Sequence, residues 1–134
     1  MSINRRNFLK STSAVATAVA APAFIGRAQA ADGLKMAVIL DQTGGLDIYG
    51  RPMVDASHLA VEEINAAGGL LGKQVDLTVY DPQSTIQFYT QYATKAATSD
   101  RVDVVQAGIT SASRESIRPL LSRYQTLYFY NTLY

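Results

Sequence analysis

From Leu34 onward, short apolar runs alternate with longer amphipathic stretches, and this alternation constrains the fold more than any other feature of the chain. Met36 to Leu40 is a continuous apolar run, as expected of a strand buried on both faces. From Gly50 to Ala67 the period changes to that of a helix. Met53, Ala56, Ser57, Ala60, Val61, Ile64 and Ala67 fall on one side, and Asp55, His58, Glu62 and Asn65 on the other. Gly68-Gly69 stops the helix, because glycine accepts the left-handed backbone of a C-terminal cap.

Val75 to Tyr80 alternates as a second strand, closed by Asp81-Pro82. Ser84 and Gln87 have the spacing of a capping box for a helix that carries Ile86, Tyr89, Ala93, Ala96 and Ala97 inward. Val102 to Ala107 is a third strand, followed by a polar loop from Gly108 to Ser113. Ser113 is positioned to cap a helix from Arg114 to about Arg123. Pro119 predicts a kink or an early end, since it removes one hydrogen bond and crowds the preceding turn. Leu127 to Tyr130 is a fourth strand. Strands and helices at this spacing predict an α/β fold of right-handed β-α-β units on a parallel sheet. Ligands bind beyond the carboxyl ends of such strands. The candidate loops are therefore Thr43–Tyr49, Asp81–Ser84, Gly108–Ser113 and Asn131–Tyr134.

The first 30 residues read differently. A charged start containing Arg5, Arg6 and Lys10 precedes an alanine-dominated run from Ser11 to Ile25 and the small-residue end Ala28-Gln29-Ala30. That order defines an export signal. The paired arginines with Phe8-Leu9-Lys10 resemble the twin-arginine motif, although Asn4 stands where Ser or Thr is usual. The run is shorter than the roughly 20 apolar residues needed to span a bilayer, which disfavours an uncleaved membrane helix. The reading is a twin-arginine signal peptide over residues 1–30, cleaved after Ala30, and a mature chain over 31–134. Four of the 12 basic residues lie in the leader and no acid does. The remaining eight face 11 acids, a balance of −3. The mature part thus lacks a basic face for nucleic acid. With no cysteine, disulfides, thiolate metal sites and a cysteine nucleophile are excluded.

Several motifs fail on their own chemistry. Gly68-Gly69-Leu70-Leu71-Gly72-Lys73 suggests a phosphate loop. But Ala67 replaces its first glycine, Gln74 replaces the magnesium-binding hydroxyl, and the segment lies between a helix and a strand in the wrong order. Asp41 to Leu46 lacks the dinucleotide glycine spacing. His58 is the only histidine, on a polar helix side, with no second histidine to share a metal. Ser111 and Ser113 lack the nucleophile-elbow context. Catalysis and bound cofactors are not expected. Thr110 to Arg114 places hydroxyls and free amides at a helix start, suited to a small polar group or to capping alone. Tyr128 to Tyr134 offers aromatic rings that could wall a cleft or simply pack.

At these residues the chain resembles the type I periplasmic substrate-binding proteins of ABC importers, in the group for branched-chain amino acids, amides and urea. The resemblance spans Met36 to Tyr134. Its most specific piece is the run from Glu63 to Lys73, which looks like that family's helix-to-strand turn. The loops at Thr110–Arg114 and Tyr130–Tyr134 look more like the amide and urea branch. By that resemblance, Ser111 would hydrogen-bond the ligand through hydroxyl or amide, and Tyr130 and Thr132 would line the same pocket. Ile109 stands where some amide binders carry an aromatic residue. The resemblance implies an incomplete, Rossmann-like first lobe of a two-lobed binding protein. It further implies a periplasmic location, an ABC permease as partner, and the twin-arginine translocase as partner during export. A ligand-sensing module of a regulator or receptor is the alternative, since the same fold serves it. An exported α/β hydrolase would need a downstream histidine and acid.

Overall fold

The computed structural model describes residues 33–132. The leader, its twin-arginine motif, the cleavage site after Ala30 and the last two residues of the final candidate loop lie outside that range. Within it, β1 (Leu34–Ile39), α1 (Asp47–Ala66), β2 (Val75–Tyr80), α2 (Ile86–Lys95), β3 (Val104–Ala107), α3 (Ser111–Arg123) and β4 (Leu127–Phe129) follow in order. The strands form one parallel sheet in the order β2-β1-β3-β4. β2 occupies the residues expected of it, and the other strands differ at their ends by one or two residues.

Alternation along the strands sorts the core into two layers. Ala37 and Ile39 of β1 and Val105 and Ala107 of β3 face α2 and α3, where they meet Tyr89, Ala93, Ile117 and Leu121. Val38 and Leu40 face the other way, against Val54 of α1 and Ile109. Every β1 side chain from Ala37 to Ile39 is fully buried, as is Leu40 just beyond it, as the unbroken apolar run requires.

Helix α1 begins three residues earlier than its pattern suggests. Leu46 supplies no capping side chain; its amide donates instead to Ser84 Oγ, and its carbonyl accepts from Tyr49 and Gly50. Gly50 lies inside the helix because a Cβ there would stand 1.8 Å from the Asp41 carbonyl oxygen. The buried side is rotated toward Val54 and Ser57, leaving Ala56, Ala60 and Ala67 exposed. Asn65, expected on the outer side, is half-buried. Its amide group donates to the Val75 carbonyl and its oxygen accepts from the Val75 N–H, so it pairs with the first residue of β2 as a neighbouring strand would. Gly68 and Gly69 both take positive φ and end the helix as expected.

Two capping expectations are corrected. Ser84 and Gln87 form no capping box: Thr85 is the N-cap of α2 and makes no side-chain cap bond. Ser84 is drawn away by the β1 loop, its amide donating to Asp41 Oδ1 at 2.7 Å. In α3 the N-cap is Thr110, three residues before the expected Ser113. Ser113 is the third helical residue and closes the box from inside. Pro119 does not shorten α3, which continues to Arg123. The carbonyl that loses its donor belongs to the exposed Glu115, where water can replace it. A single π-turn, Ala96–Asp100, carries α2 into the approach to β3.

Candidate functional site

In a parallel sheet of order β2-β1-β3-β4 all carboxyl ends share one edge, and the chain order reverses between β1 and β3. That reversal opens a crevice at the loops after those strands. The structure organises this edge in two halves.

The first half joins the loops after β1 and β2. Asp41 is fully buried. Its Oδ1 accepts from the Ser84 amide and its Oδ2 from Tyr89 Oη at 2.9 Å. Asp81 works in the opposite direction. Its Oδ1 accepts from the amides of Gln42, Thr43 and Gln83, and its Oδ2 from Thr43 Oγ1 at 2.7 Å. Burial alone would raise the Asp81 carboxyl. The hydrogen bonds from the Thr43 hydroxyl and the three amides outweigh it and hold the group below its ordinary value. The two aspartates therefore fix each loop to the other. On the first turn of α1, just beyond, Tyr49 is 60% exposed. Arg51 ties this turn to the β1 loop, donating from Nε to the Gln42 carbonyl at 2.7 Å and pairing with Asp47.

The second half joins the loop after β3 to the end of β4. Gly108 turns the chain with φ of +90°, and an added Cβ would press on Ser113 Oγ and the Tyr130 ring at 3.2–3.3 Å. Ser113 is 1% exposed. Its Oγ accepts from the Ile109 and Thr110 amides and donates to the Thr110 carbonyl, while Thr110 Oγ1 accepts from the Ser113 amide. Three hydroxyls then descend on three successive carbonyls of this strand end. Tyr128 Oη donates to Ala107 O at 3.0 Å, Thr132 Oγ1 to Gly108 O at 3.0 Å and Tyr130 Oη to Ile109 O at 3.3 Å. Arg114 lies 5.3 Å from the centre of the Tyr130 ring and pairs with Glu115.

Of the three residues expected at the site, Tyr130 and Thr132 set their hydroxyls on the turn after β3, and Ser111 follows that turn at the start of α3. Ser111 is the first helical residue of α3 and exposed, and its side chain has no hydrogen bond among the described residues. Neither Ser111 nor Ser113 is the N-cap. Tyr130 and Thr132 are half-buried, with their hydroxyls on the backbone of that same turn. His58 is exposed on α1. The Asp41 and Asp81 clamps were not legible as site features. Their only sequence signal is a polar residue following each of two apolar strands. A shallow groove of about 230 Å³ beside Asn131, lined by Met53, Ala56, Ser57, Ala60 and Gln106, runs from the edge along α1. Among the described residues there is no group of three or more His, Cys, Asp or Glu able to hold a metal, and no helix long and apolar enough to cross a membrane.

Comparison with known proteins bears on this edge. The profile described as a periplasmic binding protein domain matches residues 34–134, and that of the twin-arginine translocation pathway signal sequence matches residues 2–22. No match is found among the curated proteins. The branched-chain amino acid transporter substrate binding protein LivJ from Streptococcus pneumoniae, solved in complex with isoleucine, is 26% identical with a TM-score of 0.73. It covers 75% of this chain and 29% of its own. The leucine binding protein LivK from Thermotoga maritima is also 26% identical, with a TM-score of 0.68, covering 74% of this chain and 27% of its own. A putative branched-chain amino acid ABC transporter protein from Rhodospirillum rubrum shares the fold at 24% identity and a TM-score of 0.70, over 75% of this chain and 29% of its own. The chain therefore spans less than a third of the length of these structures. It carries a twin-arginine signal sequence and is an exported, periplasmic protein. With its parallel sheet, its switch-point edge and a profile match over the whole of that sheet, the chain belongs to the type I periplasmic binding protein family.

Proposed function

We propose that this chain captures a small amide, urea or branched-chain amino acid in the periplasm and presents it to the permease of an ABC importer. It would reach that compartment through the twin-arginine translocase, with the leader removed after Ala30 and residues 31–134 contributing to the first lobe. One observation supports the ligand reading: the hydroxyls of Tyr130 and Thr132 lie on the turn after β3, beside the switch point of the sheet, and Ser111 opens α3 just after that turn. Such crevices bind small molecules through a few placed polar groups. The first turn of α3 adds amides that lack intrahelical partners. The isoleucine held by the S. pneumoniae protein, at 26% identity, supports a small polar ligand in the same size range. The proposed role is binding: among the described residues the edge gathers donors and acceptors without a nucleophile paired with a base.

Calorimetric titration of the full-length gene product with urea, short amides, leucine and isoleucine tests this reading. Saturable one-to-one binding of one class, weakened by Tyr130→Ala and untouched by His58→Ala, is the expected result. Binding of none of them, or binding indifferent to Tyr130→Ala, would remove the proposed site.

A further inference from the structure

We propose that the amino-end edge of the sheet docks on an anionic phospholipid bilayer, with Leu71 entering the headgroup layer and Lys73, Arg101 and Lys35 meeting lipid phosphates. The inference is independent of ligand capture, because these residues lie at the opposite edge of the sheet from the candidate site. Lys35 belongs to the start of β1, Lys73 precedes β2 and Arg101 precedes β3. In a parallel sheet these three points share one edge. There they line a single open cavity of about 300 Å³, in which Asp103 is the one acid. The pairing of charges sets this cavity apart. Eight lysines and arginines lie among the described residues. Arg51 pairs with Asp47, Arg114 and Arg118 pair with Glu115, Lys95 lies over the Tyr80 ring and Arg123 over the Tyr124 ring. The side chains of the other three have no ion pair, hydrogen bond or ring contact among the described residues, and all three face this one cavity. Asp103 turns its Oδ2 to the Lys35 backbone N–H at 2.9 Å instead. Lys35 also borders a second hollow with Asp76 and Asp100, so Lys73 and Arg101 hold most of the unbalanced charge. The mature part as a whole has a balance of −3, and this edge runs against that sign.

Beside Lys73 the chain makes a turn that the fold itself does not explain. Leu70 and Lys73 exchange both backbone hydrogen bonds, at 2.8 and 2.9 Å. The two residues between them, Leu71 and Gly72, have φ of +52° and +78°. Two-residue turns of this kind favour Asn-Gly, because a left-handed backbone crowds a leucine Cβ. Leu71 is 99% exposed, so no packing offsets that strain, and Leu70 next to it is also exposed. Strain held at an exposed position points to a role outside the fold. An apolar tip beside unpaired cations is the pattern of interfacial binding, in which the side chain enters the acyl boundary and the cations meet headgroup phosphates. A soluble phosphate would use the cations and leave Leu71 in water.

The test is co-sedimentation of the exported full-length gene product with vesicles of phosphatidylglycerol and phosphatidylcholine in equal parts, against vesicles of phosphatidylcholine alone. Binding to the first and not the second is expected. It should vanish at about 1 M salt, where charges are screened within roughly 3 Å. Lys73→Gln and Arg101→Gln should each weaken it about fivefold, the scale of one cation at an anionic surface. Arg118→Gln removes the same charge from a cation paired with Glu115 and should change it little. Leu71→Asn suits the turn better than leucine, so its thermal midpoint should equal or exceed the parent's. Its vesicle binding should nonetheless fall about tenfold, as expected when an apolar side chain is withdrawn from the interface. No preference for phosphatidylglycerol, or a preference undiminished in Leu71→Asn, overturns the inference. Equal weakening by Arg118→Gln reduces the effect to net charge and overturns it as well. Binding to poly-glutamate as tight as to the vesicles, and no weaker in Leu71→Asn, would assign the edge to an acidic macromolecule instead of a membrane.

Discussion

Tyr89 Oη donates to Asp41 Oδ2 at 2.9 Å, joining α2 to the end of β1 where both side chains are almost completely buried. The contact links residues 48 apart in sequence and fixes the first loop of the candidate edge from behind. Tyr89→Phe keeps the ring and removes the donor, leaving one oxygen of a buried carboxylate unpaired. The expected cost is about 1–3 kcal/mol, read as a lower urea midpoint with an unchanged slope. Tyr92→Phe is the control, because Tyr92 stacks on Tyr80 at 5.0 Å through its ring, and it should move the midpoint little.

The same burial sets an alkaline limit. Burial, and then the neighbouring Asp41, pushes the Tyr89 phenol well above its ordinary range. Burial and then Asp100 do so for Tyr80, and burial and then Tyr130 for Tyr128. A folded value above the unfolded one means that the native state holds the proton more tightly. This stabilisation is complete below the unfolded value near 10 and is lost as pH rises beyond it. Stability should therefore fall above about pH 10. In an ultraviolet titration, these three of the eight tyrosines should ionise only with unfolding. Simple titration of all eight at the ordinary value, with the fold intact, contradicts this.

Asp81 sets the acid limit with the opposite sign. Its folded value lies below its unfolded one, so its contribution is present above about pH 4 and lost as pH falls through the depressed folded value. Asp81→Asn should lower the urea midpoint near neutral pH by the loss of charge-assisted bonds, and should flatten the midpoint's decline between about pH 5 and pH 3. A parent-like acid limb in the variant places the sensitivity elsewhere.

What the sequence revealed, and what it hid, follows from the range of the forces involved. Val75 to Tyr80 reads as a strand to the residue because alternation and the following Asp-Pro are local. The start of α1 does not, because Leu46 carries no capping group and its amide is satisfied by Ser84, which lies 38 positions away. Ser84 reads as a cap for the same reason in reverse: its local alternative loses to Asp41, 43 residues distant. Asn65 looks like an outward polar residue until Val75 needs a pairing partner. At the site, topology places the loops after β3 and β4 at one edge, whereas the choice of Ser111, Tyr130 and Thr132 within them rests on the family resemblance. Which way the hydroxyls donate is not, since that depends on the register Val104↔Leu127 that sets β4 against β3.

The leader gives a separate expectation. Its profile match includes Arg5 and Arg6, whose pairing is read by the translocase rather than by a simple charge rule. Arg5→Lys together with Arg6→Lys should leave precursor in the cytoplasm. Protein exported by the parent should begin at Ala31 on N-terminal sequencing. Normal export of the double lysine variant argues for a different export route.

Ser111→Pro is the sharpest probe of the candidate edge, because the fold is built to accept it. Ser111 is the first residue of α3, the helical position where proline is best tolerated: its fixed φ suits the helix and the missing N–H has no intrahelical partner. A proline also constrains the residue before it to extended backbone, and Thr110 already has φ −111° and ψ 158°. The Thr110–Ser113 capping box uses neither the side chain nor the amide of Ser111. The thermal midpoint should therefore stay within a few degrees of the parent's, equivalent to less than about 1 kcal/mol. Binding should respond differently, since the substitution deletes both the amide and the hydroxyl offered to a ligand. Ser111→Ala deletes the hydroxyl alone. A loss of about tenfold in Ser111→Ala, roughly 1.4 kcal/mol, with a further loss in Ser111→Pro, assigns both groups to the ligand. A loss in Ser111→Pro alone assigns the amide. Parent-like affinity in both variants, at unchanged stability, would show that the start of α3 does not touch the ligand.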